Sequence, residues 1–403
     1  MNRVIQEIPH YLSKKIADLA AADPEVINLS IGEPFFGPPG QVEKRFAAFI
    51  QEQISRGILP NKYAPSRGEP SLRLAIADRY HRLYQLKPNP ETEVLVTHGA
   101  AEAIWLSVLC LSEIGDEILI PDPSYMLYET VVRLLNRVPV RIPTRVENGF
   151  VLDPEDVKAA INDRTRILFI NSPENPTGAV YSREVFRALG TMAEMNGFVI
   201  VHDEVYDGFV FGQPHYNLLC EASWPPYLVL INSFSKRYAM MGWRLGWMTA
   251  AEPVISAALK VHTNLTLNLG SFHQEVAGTL LNDSEVEQDT ITHAGQIGRQ
   301  LTILYEALEA REEFHIAMQP KGGFFLFPDV RPYYQMLSRK WQQKYPTPGE
   351  VVATHLFEKH KIAVVPGYVY GPAGANHVRV VGAVAAIDIE RACERLQNQP
   401  FTQ

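Results

Sequence analysis

Cysteine is scarce. The 403 residues hold three, Cys110, Cys220 and Cys393, far apart and without paired spacing. That argues against a disulfide framework and against a cysteine-built metal site, and it suits a reducing compartment. Long apolar runs are missing as well: no stretch approaches the roughly 20 residues that a membrane helix needs. The opening MNRVIQEIPHYLSKK has none of the apolar block of a secretion signal, so a cytoplasmic location is expected, with no membrane partner. Positive charge is not concentrated either. The formal net charge is -8 and there is no dense run of Lys or Arg, so nucleic acid is not an expected partner. Internal repeats and low-complexity linkers are also lacking.

What is present is a normal globular composition, 46% hydrophobic and 20% charged, on a chain long enough for two or three domains. Short apolar runs alternate with longer helical patterns, as in a parallel sheet covered by helices on both faces, an α/β fold. The runs are EVLVT (93–97), EILI (117–120), ILFI (167–170), FVIV (198–201) and YLVLI (227–231). Each ends in small or polar residues. Ligands of open α/β sheets bind beyond the carboxyl ends of the strands, so these tips should converge on one site. After about Leu280 the pattern changes to a long helix at 296–311, apolar runs at 324–327, 362–365 and 378–381, and a helix at 387–396. The expected division is a large domain over 49–285 and a smaller α+β domain made of 286–403 with an N-terminal arm, 1–48.

The segment SFSKRYAMMGWRLGW (233–247) carries the most chemistry. A lysine at a strand end, Lys236, flanked by Ser233 and Ser235 and followed by Arg244 in a glycine-rich turn, suits an amine that forms an imine beside a bound phosphate. Such an amine must be partly desolvated to be nucleophilic at neutral pH, and Arg244 would grip the phosphate by charge-assisted hydrogen bonds. Alone, Lys236 would more often be a solvated surface lysine. Asp203 and Tyr206 end the preceding strand. A carboxylate keeps a pyridine-type ring nitrogen protonated, so that the ring accepts an electron pair, and Tyr206 can donate to the ring's phenolic oxygen. Asp203 as a helix N-cap is the plainer reading. His202 and Glu204 beside it are read as ordinary structural residues, and no metal is expected.

Three further loops complete the set. NSPENPTG (171–178) offers Asn175 between prolines, although such a segment is also an ordinary turn. THGAAEA (97–103) runs from strand through Gly99 into a helix, so the N–H groups of Ala100 and Ala101 can take phosphate oxygens. Tyr125, after PDPS, could stack on a ring or belong to the core.

Taken together, THGAAEA, PDPSY, NSPENPTG, HDEVY (202–206) and SFSKRYAMMGWRLGW, in this order and spacing, closely resemble the class I and II aminotransferases, of the aspartate aminotransferase-like kind. The resemblance runs from Ser30-Ile31-Gly32-Glu33-Pro34 to Val378-Arg379-Val380. It implies pyridoxal-5'-phosphate fold type I, a large domain with a mostly parallel seven-stranded sheet sandwiched by helices, plus a smaller α+β domain. It implies Lys236 as the Schiff-base lysine, Asp203 as partner of the ring nitrogen, and Tyr206 and Asn175 as partners of the phenolic oxygen. Asn175 would also touch the substrate carboxylate, which Arg379 would grip opposite the backbone of Gly32. Tyr63 resembles the tyrosine that reaches the phosphate of a neighbouring subunit, which implies a homodimer with shared sites.

The sequence departs from the common pattern at Ser172 and Glu174, where asparagines are frequent, and at Ala101, where an acidic-substrate branch carries lysine. The expected reaction is ping-pong transfer of an amino group from an L-α-amino acid to a 2-oxo acid. A lyase, cyclase or oxidase on the same fold, or a non-enzymatic sensor, are the competing readings. Without a lysine at 101, and with Phe35, Phe36 and Tyr125 near, neutral donors are expected to match or exceed aspartate.

Overall fold

The computed structural model describes residues 3–8, 12–58, 62–220, 225–316 and 318–398. Asn61, in the stretch before Tyr63, lies outside them. Seven strands form the main sheet: β1 (Val94–Thr97), β2 (Glu117–Asp122), β3 (Val138–Pro143), β4 (Thr165–Asn171), β5 (Val199–Asp203), β6 (Leu228–Ser233) and β7 (Gly246–Ala250). Their spatial order is β1-β7-β6-β5-β4-β2-β3. All pairings are parallel except those of β7, which runs against both β1 and β6.

The central strands read as continuous apolar runs because both faces are covered. Successive side chains enter opposite cores. Leu168, Ile170, Ile200, Leu228 and Leu230 join one, while Ile167, Phe169, Val201, Val229 and Ile231 join the other. Register then aligns the polar tips. Asn171 is the cross-strand partner of Asp203, which is also partnered by Ile231, and Ser233 pairs with Gly246.

A third core gathers residues from Ile297 onward together with Ile27, Leu29 and Val205 to Phe209. The N-terminal segment is stitched to the C-terminal part, since Ile27–Asn28 pairs in parallel with Ile362–Ala363. A three-stranded antiparallel sheet of Phe325–Leu326, Val378–Val381 and Val365–Pro366 completes this half. The long helix is Ser284–Glu309, beginning earlier than the apolar periodicity at 296–311 indicates. Asp283 caps it by accepting from the N–H groups of Glu285 and Val286, and its first half, rich in Glu, Gln and Thr, carries little apolar signal. Val286 packs into the large-sheet core, whereas Leu301 and Leu304 pack into the third, so one helix spans both halves. Helix Val42–Ser55 spans position 48, and Ser284–Glu309 spans position 285. Among the described residues no helix is long and apolar enough to cross a membrane.

Candidate active site

The tips of β4, β5 and β6 open into a cavity of about 280 Å³ between the large sheet and the third core. Twelve residues expected from sequence line it: Gly32, Ala100, Ala101, Tyr125, Asn175, Asp203, Tyr206, Ser233, Ser235, Lys236, Arg244 and Arg379. Gly99 sits just behind, and Tyr63 does not line the cavity of its own chain. Tyr63 is 83% exposed.

Lys236 follows β6, and its Nζ donates to the carbonyl of Gly32 at 2.6 Å. Burial pushes the amine down to about 8, with Arg379 and Arg244 acting in the same direction and Glu33 and Asp203 opposing. Asp203 is 3% exposed. Burial raises its carboxyl to about 6 against a hydrogen bond from Tyr128 and one from the backbone of Val205. Tyr128 Oη donates to Oδ2 at 2.8 Å and Val205 N to Oδ1 at 3.2 Å. The ring of Tyr206 meets those of Phe324 and Phe325 edge-on, at 5.0 and 5.4 Å.

Arg379 lies on the central strand of the small sheet and is 5% exposed. Its Nη1 donates to Asn175 Oδ1 at 2.9 Å and its Nη2 to the Ser30 carbonyl at 2.6 Å. The guanidinium lies 4.8 Å over the Phe325 ring. Its buried Nε has no hydrogen-bond partner among the described residues. Asn175 is anchored by its own N–H, which donates to Asn171 Oδ1 at 2.9 Å, while Asn171 Nδ2 donates to the Asp203 carbonyl at 2.9 Å. Arg379 and Asp203 are thus connected through one asparagine pair.

The helix Gly99–Leu111 points its first turn at the site, and no side chain caps it. Gly99 has φ 70°, and a Cβ there would lie 2.7 Å from Arg244 Nη2, so only glycine lets the guanidinium close on this turn. Arg244 itself has φ 52° and donates from Nη1 to the Met241 carbonyl at 3.0 Å. Ser235 N donates to Ser233 Oγ at 3.2 Å, which places both serines at the same end.

Sequence reasoning missed Tyr128 and Lys14, and it gave Asn171, Ser30 and Glu33 no role of their own. Tyr128 was detectable, because three residues after Tyr125 is one helical turn. Lys14, from helix Leu12–Ala21, and Glu33 add charges of opposite sign to the cavity wall, and Lys14 pairs with Asp18 at 3.0 Å. No periodicity signals their approach, which is made across the fold.

A half-buried lysine, a carboxylate at the next strand tip, an arginine facing a glycine-led helix turn and a second arginine across the cavity define, on this sheet order, a fold type I aminotransferase. The comparisons agree. The chain belongs to the family "Aminotransferase class I and II", whose sequence pattern matches residues 24–396, and it is a pyridoxal-phosphate-dependent transaminase. It is 31% identical over 386 residues to the aspartate aminotransferase of Pyrococcus horikoshii, covering 96% of this chain and 93% of that one. Among solved structures it resembles aspartate aminotransferase from Thermus thermophilus with maleate, at TM-score 0.87, 30% identity and 98% coverage of both chains. It also resembles aromatic aminotransferase from Pyrococcus horikoshii, at TM-score 0.84 and 29% identity, covering 94% of this chain and 97% of that one. Lyase, cyclase, oxidase and sensor readings are not favoured.

Proposed function

We propose that this chain binds pyridoxal 5'-phosphate at the tips of β4 to β6 and carries amino groups from a neutral L-α-amino acid to a 2-oxo acid. The observation that carries the reading is the convergence of Lys236, Asp203 and Arg379 on one cavity.

The cavity residues fit the cofactor. Glycine at 99 leaves the Arg244 guanidinium and the uncapped helix turn facing one place, an anion site. Ala100 and Ala101 through their N–H groups, with Ser233, Ser235 and Arg244, would hold the phosphate. Asp203 would face the ring nitrogen, Tyr206 and Asn175 the phenolic oxygen, and Tyr125 the ring face. When bound, pyridoxal phosphate supplies an electron sink for the pair released at the substrate α-carbon.

The chain's own groups do the rest. Lys236, held at about 8, has enough neutral amine near pH 7 to act as a nucleophile. With the cofactor bound, the same Nζ would take up the substrate's α-proton and give it back one atom away. The Gly32 carbonyl aims this amine. Asp203, at about 6, is mostly ionised at pH 7 and would stabilise a protonated ring nitrogen of the bound cofactor. Arg379 fixes the α-carboxylate, and its unpartnered Nε is the donor still to be satisfied. The division into 49–285 and 1–48 with 286–403 assigns the phosphate and ring to the large part and the carboxylate to the small one. We read the chain as a cytoplasmic homodimer in which Tyr63 of each chain completes the other's phosphate site; the resemblance supports this reading, and for the dimer so does the exposure of Tyr63.

Neutral donors are favoured because Ala101, Ile104 and Tyr125 line the wall. A side-chain carboxylate would need a second cation there. Lys14 supports a second reading, an acidic donor, as do the aspartate aminotransferases among the relatives. Steady-state comparison of aspartate, alanine, leucine and phenylalanine with one acceptor, and with products identified, decides between them. Neutral donors should match or exceed aspartate. A hundredfold preference for aspartate that Lys14→Ala removes would establish the second reading.

A further inference from the structure

We propose that His202, Glu204 and His215 form a structural site for a divalent transition-metal ion of the zinc kind, separate from the active-site cavity. None of the three lines that cavity. His202 and Glu204 are two residues apart at the end of β5, so they leave the sheet on one face, and Asp203 leaves on the other. His202 packs on Phe186, ring to ring at 4.8 Å, and Glu204 Oε2 accepts from Tyr80 at 3.3 Å, so this is the face away from Tyr128.

The donor set is the first argument. One ligand atom from each of the three residues falls within a span of 4.8 Å. His202 Nδ1 is 3.8 Å and His215 Nδ1 is 3.9 Å from Glu204 Oε1. Tetrahedral zinc with bonds of about 2.1 Å holds its ligands roughly 3.4 Å apart, a contraction that small side-chain rotations supply. Two imidazoles and one carboxylate are a familiar zinc set, and a water would take the fourth position.

The second argument is independent. His202 is fully buried, and neither of its ring nitrogens has a hydrogen-bond partner among the described residues. The backbone of Ser172 stands close to it and favours its protonated form against burial, while the Ser172 carbonyl's hydrogen-bond contact at 3.1 Å is with His215 Nε2. A buried imidazole with two idle nitrogens is costly and calls for a ligand. His215 holds its Nε2 3.1 Å from the Ser172 carbonyl, and its Nδ1, on the side of the cluster, is hydrogen-bonded by the Tyr84 hydroxyl at 2.9 Å, a bond that an ion on Nδ1 would displace. Glu204 is supported by Asn217 and Tyr80, both neutral donors, and no Lys or Arg among the described residues lies within ion-pair distance of it. The cation that acts on it, Arg79, is itself ion-paired with Asp207, so among the described residues the carboxylate has no direct cationic partner. A bound ion would tie β5 to the loop carrying His215 and, through Ser172, to the Asn175 loop.

The test uses the purified, cofactor-loaded protein, stripped with chelator, dialysed, and exposed to Zn²⁺ or Co²⁺. Wild type should retain about one zinc per chain and gain about 3 °C or more in thermal midpoint with excess Zn²⁺. Co²⁺ should give visible d–d bands of a four-coordinate nitrogen and oxygen site. His215→Gln and Glu204→Gln should lose both the retained metal and the shift. No retained zinc with no thermal shift would overturn the proposal, and so would variants that keep zinc as wild type does. Should a variant fail to fold, the cobalt spectrum of wild type decides alone, and absence of four-coordinate bands rejects the site.

Discussion

The hydroxyl of Tyr128 donates a 2.8 Å hydrogen bond to Oδ2 of Asp203, across 75 residues of chain. The tyrosine is itself pinned, its ring stacked on Phe169 at 4.6 Å and 8°. Burial opposes a charged Asp203, and this hydrogen bond favours it. Removing one donor from a buried carboxylate costs about 1.5–3 kcal/mol, or about one to two pH units. Tyr128→Phe should therefore raise the acid limb of the kcat/KM profile above its wild-type position by about one unit, because Asp203 then protonates at higher pH. An unshifted limb would mean that another group sets it.

Asp203→Ala removes the charge itself. Loss of an electrostatic contribution of about 4 kcal/mol to the transition state lowers the rate about a thousandfold. Single-turnover kinetics with a donor amino acid measures this directly. A variant within tenfold of wild type would reduce Asp203 to a structural cap.

Lys236 gives a pH signature in the cofactor-free protein. Its amine is held at about 8, below the ordinary 10.5, because burial penalises the ammonium form. The nucleophilic form thus grows as pH rises through about 8. The same shift makes this group's contribution to stability rise with pH between about 8 and 10.5, where the unfolded chain binds more protons. The rate of Lys236 modification by an amine-specific reagent, followed by peptide mapping, should inflect near 8. An inflection near 10.5 would show a solvated lysine.

Tyr63 lies outside the cavity of its own chain and is largely exposed. If it completes a partner's site, a mixture of Tyr63→Phe and Lys236→Ala proteins should recover activity on subunit exchange, since each hybrid dimer then holds one intact site of its two. Confirmed exchange without recovery would place Tyr63 outside the shared site.

Much of this was legible because the chemistry is concentrated at strand tips. Buried strands announce themselves as apolar runs, and the residue ending each run must face the site, so Asn171, Asp203 and Ser233 were placed by position alone. Two strands escaped the pattern. Val138–Pro143 is an edge strand with a proline at each alternate turn of its pleat and exposed ends, and Gly246–Ala250 is hidden in a segment that reads as a glycine-rich turn. Contacts made across the fold carry no local signal. The Tyr128 bond, the approach of Lys14 from the N-terminal helix and the closing of His215 on His202 and Glu204 all depend on how separate elements pack.

Borohydride reduction of the pyridoxal-phosphate-loaded protein, followed by mass mapping of its peptides, locates the lysine that holds the cofactor. A pyridoxyl mass on the peptide containing Lys236 is expected, with Lys236→Ala losing both the label and transamination. The pyridoxyl group on a different lysine, or a Lys236→Ala protein that transaminates like wild type, would contradict the account.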